Sequence, residues 1–374
     1  MPPSVTLRPS GARPREVSRP LRVVDVAVWY GARSGGIRTY LDAKARVAAH
    51  GGSFEHHLII PSAHEHHGEG RHELPGVVVS RANDYRMPLD ASPVLRTLRA
   101  IGPDVVLLHD PHWWPASVAR CARRLGARVI AVRHGTAAAG AIGKPGPQRA
   151  WRAGLSAWER RLYQRVDAVM THGQPPDEAD GIPVLPLRHG LDPAFRPPRS
   201  PGRGDHVLYA GRLAAEKGVD LLLRAMGRSA RPWPLRLVGR GPAERMLRRR
   251  VADLGLQRRV TFAAFIADAG ALCQAYAEAA CVVVPGSYET FGLVALEAAA
   301  SGATVVASDA VPSARMATGL IHAFPADEPA ALADTIERVS GVDVDMIAAR
   351  ALGRRLTWER AIAAELGDLE AFCR

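Results

Sequence analysis

Short runs of Val, Ile and Leu recur along the chain with no polar residue alternating between them, and stretches of helical period separate most of them. A strand that is apolar on both faces has to be covered on both faces. The usual cover is a helix crossing over to the next parallel strand. In the first half the runs are "LRVVDVAVW" (21–29), "HHLII" (56–60), "VVV" (77–79), "DVVLL" (104–108), "RVIAV" (128–132) and "DAVMT" (167–171). In the second half they are "HVLYA" (206–210), "LRLVG" (235–239), "RVTF" (259–262), "CVVVP" (281–285), "TVVAS" (304–308) and "LIHAF" (320–324). Between the sets lies "LRHGLDPAFRPPRSPGRGDH" (187–206), dense in Pro, Gly and Arg, which reads as a domain boundary. The expected class is α/β with two parallel-sheet domains. Their ligand is expected in a cleft beyond the carboxyl ends of the strands.

Size agrees with two units, since 374 residues exceed one ordinary core. Apolar residues at 47% and charged residues at 23% can fill two cores. Only residues 1–20, "MPPSVTLRPSGARPREVSRP", look different, and they are expected to form a disordered basic arm. They lack the apolar segment of a secretion signal, and no stretch approaches the roughly 20 apolar residues of a membrane span. Cys121, Cys273, Cys281 and Cys373 show no CxxC spacing, which fits free thiols in a reducing cytosol. With 49 basic against 37 acidic residues the net charge is +12, a balance that favours anionic partners: nucleic acid, acidic lipid or phosphorylated small molecules.

One segment narrows the choice. In "SYETFGLVALEAAASGATVVAS" (287–308) a strand runs through a loop into a short apolar helix with Gly292 at its entrance. Glycine lets a ligand approach the backbone, and the free amides and dipole of a helix start attract a negative group. Glu289 beside such a site is suited to accept hydrogen bonds from sugar hydroxyls. Glu297, eight residues on and roughly 12 Å along a helix axis, can reach a second polyol. A phosphate flanked by two polyols describes a nucleotide sugar.

These residues resemble the E-x7-E signature of the family 4 retaining glycosyltransferases, which have the GT-B fold of two Rossmann-like domains. "YAGRLAAEKGVDLLLRAM" (209–226) is similar to the family's donor-phosphate segment, and "LRLVGRGPAERMLRRRVADLGL" (235–256) to its next strand and helix. "RHGLDPAFRP" (188–197) resembles its interdomain linker, with His189 where Asn is usual. "GARSGGIRTYL" (31–41) resembles its first glycine-rich loop, and "TWERAIAAELGDLEAFC" its last helix. The resemblance implies an arm at 1–20, an acceptor-side domain at 21–190 and a linker at 191–205. A nucleotide-sugar domain follows at 206–356, with a helix at 357–374 crossing back to the first domain.

By the same resemblance Arg212 and Lys217 clamp the donor diphosphate, Glu289 meets hydroxyls of the transferred sugar, and Glu297 meets the ribose. The backbone at Phe291, Gly292 and Leu293 lines sugar and phosphate, Gly239 belongs to the donor site, and Gly35 and Gly36 face the phosphates across the cleft. His134 matches the family's histidine that bonds the donor sugar near the reacting carbon. His109, Asp110 and His112 in "LLHDPHWWP" (107–115) are candidates for the acceptor, with Trp113 or Trp114 stacking on it. Catalysis is assigned to His134, Arg212, Lys217 and Glu289, without a metal or a resident cofactor. A cation about 4 Å from a phosphate oxygen contributes on the order of 4 kcal/mol in a partly wet site, so two can stand in for a magnesium ion.

The resemblance implies transfer of a hexose, with retention, from a nucleotide diphosphate sugar to a hydroxyl of a glycolipid, glycan or small molecule. GDP-mannose is taken ahead of a UDP-sugar as donor. The expected location is the cytoplasm or the inner membrane face; nucleic acid is not expected as a partner, and oligomeric state is open. Two rival readings are a sugar-nucleotide epimerase of similar architecture and a non-catalytic, anion-binding surface protein. Arg38 is either a further phosphate ligand or a surface charge. The histidines of "FEHHLIIPSAHEHHGEGRH" (54–72) are expected on a mobile loop rather than in a metal site. "RAWRAGLSAWERRLYQR" (149–165) carries Trp151, Leu155, Trp158 and Leu162 on one stripe, which fits a packed helix or one lying on an anionic membrane. "ASDAVPSARMATG" lacks the family's usual Gly-Gly, and Ala263 and Ala264 replace its usual Leu-Gly pair near the base.

Overall fold

The computed structural model describes residues 19–31, 35–80, 85–109, 114–134, 147–172, 177–198, 202, 204–229 and 231–374. The apolar runs become strands of two sheets. The first sheet is eight-stranded, in the order β10-β9-β8-β7-β1-β2-β4-β3. Its strands are β1 (Leu21–Ala27), β2 (Phe54–Ser62), β3 (His66–Gly68), β4 (Arg71–Pro75), β7 (Val105–His109), β8 (Arg128–Arg133), β9 (Ala168–Thr171) and β10 (Val184–Pro186). All its pairings are parallel except β3 with β4. The helices of this half are α1 (Gly36–Gly51), α2 (Ser92–Ile101), α3 (Pro115–Arg124) and α4 (Gln148–Tyr163).

The second sheet is six-stranded and wholly parallel, in the order β13-β12-β11-β14-β15-β16. It comprises β11 (Val207–Ala210), β12 (Leu235–Val238), β13 (Val260–Ala263), β14 (Cys281–Val284), β15 (Val305–Ser308) and β16 (Ile321–Phe324). Its helices are α5 (Val219–Arg228), α6 (Glu244–Asp253), α7 (Ala269–Glu278), α8 (Leu293–Ala300), α9 (Pro329–Val339) and α10 (Met346–Arg355). Each sheet carries an apolar core on each face, as unalternating Val and Leu runs require.

The last helix, α11 (Trp358–Cys373), buries Trp358, Ile362, Leu366 and Leu369 in the core of the first sheet. The chain crosses between the sheets twice, and the crossings touch where the Leu191 amide donates to the Leu356 carbonyl at 2.7 Å. A Cβ on Gly190 would lie 2.3 Å from the Trp358 nitrogen, so only glycine fits that junction.

Three expectations are corrected. The histidine-rich tract is not a mobile loop: β3 and β4 form a hairpin through Gly70 (φ 70°), and β4 extends the sheet beside β2. "VVV" (77–79) is not a buried strand. It forms β5 (Val77–Ser80), which pairs with β6 (Tyr85–Met87) in a separate two-stranded sheet, and all three valines are exposed. β10 had no matching apolar run, because an edge strand of three residues carries too few side chains to show one. On α4, Leu162 is buried and Trp158 packs on the first core, which favours the packed helix; the Trp151 side chain lies outside the described residues, as do residues 1–18. Among the described residues no helix is long and apolar enough to cross a membrane.

Candidate active site

Strand order reverses at β1 in the first sheet and at β11 in the second. β1 lies between β2 and β7, and β11 lies between β12 and β14. Loops leaving the strands on either side of such a switch diverge, which opens a crevice at their carboxyl ends. Most of the candidate residues leave from these strands.

After β11, the Tyr209 hydroxyl donates to the Arg212 carbonyl at 2.8 Å and tethers the loop. A single turn, Ala215–Lys217, then ends at Gly218 (φ 69°), where a Cβ would lie 2.4 Å from the Pro285 carbonyl. That close approach presses Lys217 onto the loop after β14, and its Nζ donates to Glu289 Oε2 at 2.7 Å. Arg212 is half exposed and paired with Glu216. At the end of β12, Gly239 (φ 138°) leaves no room for a Cβ, which would stand 2.0 Å from the Gly211 carbonyl.

Gly292 (φ 86°) caps α8, and its added Cβ would strike Val311 Cγ1 at 2.3 Å. The Ser313 hydroxyl donates to the Gly292 carbonyl at 2.8 Å, and the Ser313 amide donates to the Phe291 carbonyl at 2.9 Å. Ser313 thus braces the helix mouth from behind. It follows Pro312 in the segment that lacks the expected Gly-Gly. The first-turn amides at Leu293 and Val294 have no carbonyl one turn earlier to bond, which suits them to an anion. One turn further, Tyr276 donates to Glu297 Oε2 at 3.3 Å. Burial, aided by the charge of Asp192 and only partly offset by that hydrogen bond, pushes the Glu297 carboxyl up to about 7. The residue as a whole retains some exposed surface.

The first sheet supplies the opposite wall. Gly36 begins α1 opposite α8, with its Cβ position 3.5 Å from Leu293 Cδ1, and the Cβ position of Gly35 meets open space. Phe291 stacks on His172 with ring centroids 4.3 Å apart and meets the edge of His189 at 4.7 Å. His172 and His189 approach Nε2 to Nε2 at 3.0 Å. Burial lowers His172 to about 4 and holds His189 well below the usual imidazole value. Arg38 pairs with Asp42 on its own helix and lies over Tyr30.

His134 follows β8 and is buried. Its Nε2 lies 2.7 Å from His109 Nδ1, and His109 Nε2 lies 2.6 Å from Asp25 Oδ1. Burial, then the neighbouring His109, holds His134 well below the usual imidazole value, so it is neutral. His109 is 3% exposed and held between two partners, so it does not stand open to an acceptor. Asp110, His112 and Trp113 lie outside the described residues. Trp114 is exposed, at φ 44°.

Lys44, buried on α1, pairs with Asp25 at 3.1 Å and with Glu365 of α11 at 2.8 Å, and the Tyr40 hydroxyl donates to Glu365. The sequence reading missed Asp25, Tyr40, Lys44, Glu365 and Ser313, and took His56 only as part of the histidine-rich tract. The first had a signal, an acid in the middle of an apolar run; the others look like ordinary polar residues of helices, loops and strands. In the hairpin, His57 lies 3.0 Å from His72 and His67 3.1 Å from it, with Glu55 and Glu65 at the ends of the chain. Among the described residues no group of three or more His, Cys, Asp or Glu is arranged to hold a metal ion.

Comparison with known proteins agrees with this geometry. Residues 204–341 match the family described as glycosyl transferases group 1, and residues 34–175 match glycosyltransferase family 4. The GDP-mannose-dependent alpha-(1-6)-phosphatidylinositol dimannoside mannosyltransferase of Mycobacterium tuberculosis is 32% identical, over 94% of this chain and 96% of that protein. A GDP-mannose-dependent alpha-mannosyltransferase of Mycolicibacterium smegmatis is 30% identical, over 67% of this chain and 68% of its own. Among solved structures, sucrose-phosphate synthase from Thermosynechococcus elongatus superposes with a TM-score of 0.68 at 20% identity, covering 94% and 96% of the two chains. Anabaena HepE in complex with UDP and glucose gives 0.67 at 15%, covering 94% and 99%. Membership of this family displaces both the epimerase and the non-catalytic reading. The chain belongs to glycosyltransferase family 4 and is a glycosyltransferase of the GT-B fold.

Proposed function

We propose that the protein transfers a mannosyl residue from GDP-mannose to a hydroxyl of a glycolipid or other sugar-bearing acceptor, with retention at the anomeric carbon. The single observation that carries the donor site is the bond from Lys217 to Glu289, three residues before the glycine that caps α8. Two relatives described as GDP-mannose-dependent support the base and sugar, and the first, named for a phosphatidylinositol dimannoside, supports a glycolipid acceptor. Retention is carried by the family resemblance. The domains would divide as the sequence suggests, at 21–190 and 206–356, with 191–205 linking them and 357–374 returning to the first.

In this reading Lys217 exchanges Glu289 for the diphosphate when the donor enters. Arg212 joins Lys217, the backbone at Phe291, Gly292 and Leu293 receives phosphate and sugar, and Glu289 turns to sugar hydroxyls. Glu297 accepts from the ribose, Gly239 keeps the floor of the site low, Gly35 and Gly36 close over the phosphates, and His134 meets the sugar. The acceptor hydroxyl attacks the anomeric carbon from the face the diphosphate leaves. The sugar–phosphate bond breaks, the new glycosidic bond forms, and the departing phosphate oxygen takes the acceptor proton. Arg212, Lys217 and the helix mouth stabilise the growing negative charge. Asp110 and His112, which follow β7 in the sequence, are kept as candidates for the acceptor. Action on a lipid would set the work at the cytoplasmic membrane face.

A thermal-shift panel of GDP-mannose, GDP, UDP-glucose and UDP tests the donor, followed by GDP release and an anomeric-proton NMR spectrum of the product. Stabilisation by GDP-mannose and an α-linked product are expected. Stabilisation by none of the four, or a β-linked product, overturns the reading.

A further inference from the structure

β14, β15 and β16 are neighbours in the second sheet, so the loops leaving the carboxyl ends of β14 and β16 start about 10 Å apart with β15 between them. Two hydrogen bonds tie these loops together. The Ser287 hydroxyl, in the loop after β14, donates to Asp327 Oδ1 in the loop after β16. Beside it, the Ala326 amide donates to Asp309 Oδ1, in the loop after β15, at 3.0 Å. Three successive loops are thereby joined at the edge of the sheet from which Glu289 and the mouth of α8 leave.

The backbone of Asp327 is unusual. Its φ is 63°, and among the described residues that are not glycine Trp114 is the one other with a positive φ. The Glu328 amide donates to the Pro325 carbonyl at 3.4 Å, which closes a turn with Asp327 at its third position. Glycine suits that position best, and a residue with a Cβ costs on the order of 1 kcal/mol there. What an aspartate adds is an acceptor for Ser287. It also sets an acid just before α9, which favours the helix dipole, and that effect is one of stability alone.

Ser287 stands two residues before Glu289. Their loop is anchored at one end, where Gly218 packs against the Pro285 carbonyl, and at the other, where the Ser313 amide donates to the Phe291 carbonyl. Between those anchors it is neither helix nor strand. Glu289 folds back so that Oε1 lies 3.1 Å from the Cβ position of Gly286, and Oε2 takes the Lys217 ammonium. In the proposed function Lys217 leaves Glu289 when the diphosphate enters. The bond from Ser287 to Asp327 does not depend on Lys217 and outlasts that exchange.

We propose that Asp327 is a positioning residue: by bonding Ser287 across the end of β15 it holds the loop between β14 and α8 in the conformation that aims Glu289 at the hydroxyls of the transferred sugar. This rests on the reading that Glu289 meets that sugar. Asp327 and Ser287 themselves act only through the loop.

The test uses the full-length protein as wild type, Asp327→Gly, Asp327→Asn, Ser287→Ala, the Asp327→Gly/Ser287→Ala double variant and Glu289→Gln. Turnover is measured with whichever of GDP-mannose and UDP-glucose stabilises the wild type, and binding with the matching diphosphate, GDP or UDP. Asp327→Gly suits the turn but removes the acceptor. Its thermal midpoint should stay within about 2 °C of wild type or rise, while kcat/KM for the donor falls about 10- to 100-fold. Kd for the nucleoside diphosphate, which lacks the sugar, should stay within about twofold. Ser287→Ala should lose as much, and the double variant no more than either single one, because both remove the same bond. Asp327→Asn keeps an acceptor oxygen and a residue suited to a positive φ, so activity within about threefold of wild type is expected.

Wild-type turnover in Asp327→Gly overturns the proposal, as do losses that add in the double variant or an Asp327→Asn protein as slow as Asp327→Gly. A thermal midpoint and a diphosphate affinity that fall in step with activity mark Asp327 as structural only and overturn it too. Full activity in Glu289→Gln rejects the role given to Glu289 in the proposed function, and the proposal with it. An impaired Glu289→Gln beside a fully active Asp327→Gly rejects the proposal alone.

Discussion

Glu297 is the residue whose ionisation bears most directly on donor binding. Ribose hydroxyls donate, so the carboxylate is the form that binds, and burial places its midpoint at about 7. At pH 6 only about a tenth of the free protein is ionised there, so donor KM should be roughly tenfold higher than at pH 8 and level off above it. A KM independent of pH across that span, measured by nucleotide release, contradicts the assignment. Lys217 acts differently. It is partly exposed and its side chain pairs with Glu289, so Lys217→Ala should leave the thermal midpoint nearly unchanged. It should also lower kcat by about a thousandfold, since a cation on a departing diphosphate works hardest in the transition state. Activity near wild type in a folded Lys217→Ala protein would remove this residue from the mechanism.

At the scale of elements, the mouth of α8 depends on backbone that only glycine can supply. Gly292→Ala meets both a left-handed φ and Val311 at 2.3 Å, and should cost about 2–3 kcal/mol together with most donor affinity. Ser313→Ala keeps the backbone but loses one hydroxyl bond to the Gly292 carbonyl, for about 1 kcal/mol and a few-fold weaker donor binding. Calorimetric unfolding and donor titration of the two variants separate strain from bracing. This element was readable in advance because Gly292, Glu289 and Glu297 lie within one short stretch of chain. So were the twelve apolar runs, all but one of which became strands of the two main sheets. The exception, "VVV" (77–79), has the composition of a core strand, but among the described residues it pairs with β6 and not with either main sheet. Composition cannot report which partner an edge accepts. The buried ionic cluster was hidden for a related reason. Asp25, Lys44 and Glu365 come from three elements distant in sequence, and nothing local to any of them announces the other two.

For the molecule as a whole, several histidines are held neutral by burial, His172 and His189 among them at the seam between the sheets. His172, His189, His56 and His134 all lie below their unfolded value, so the unfolded chain binds more protons than the native one under acid conditions. Stability from these groups is complete above about pH 6.5 and drains away as pH falls toward about 4, the value for His172. The thermal midpoint should drop by roughly 5–10 °C across that window. A flat profile in calorimetry contradicts the burial of the cluster. Removing α11 should be worse than acid, because Trp358, Ile362 and Leu366 fill the first core and Glu365 completes its charges. A chain stopped at residue 357 is expected in the insoluble fraction. Tyr40 and Glu365, in contact, are 325 positions apart in the chain. On the ribosome, then, the first sheet must wait for a helix made much later. Until α11 leaves the exit tunnel, the Lys44 ammonium and the Tyr40 phenol stay without Glu365, and chaperones have that interval in which to hold the nascent chain.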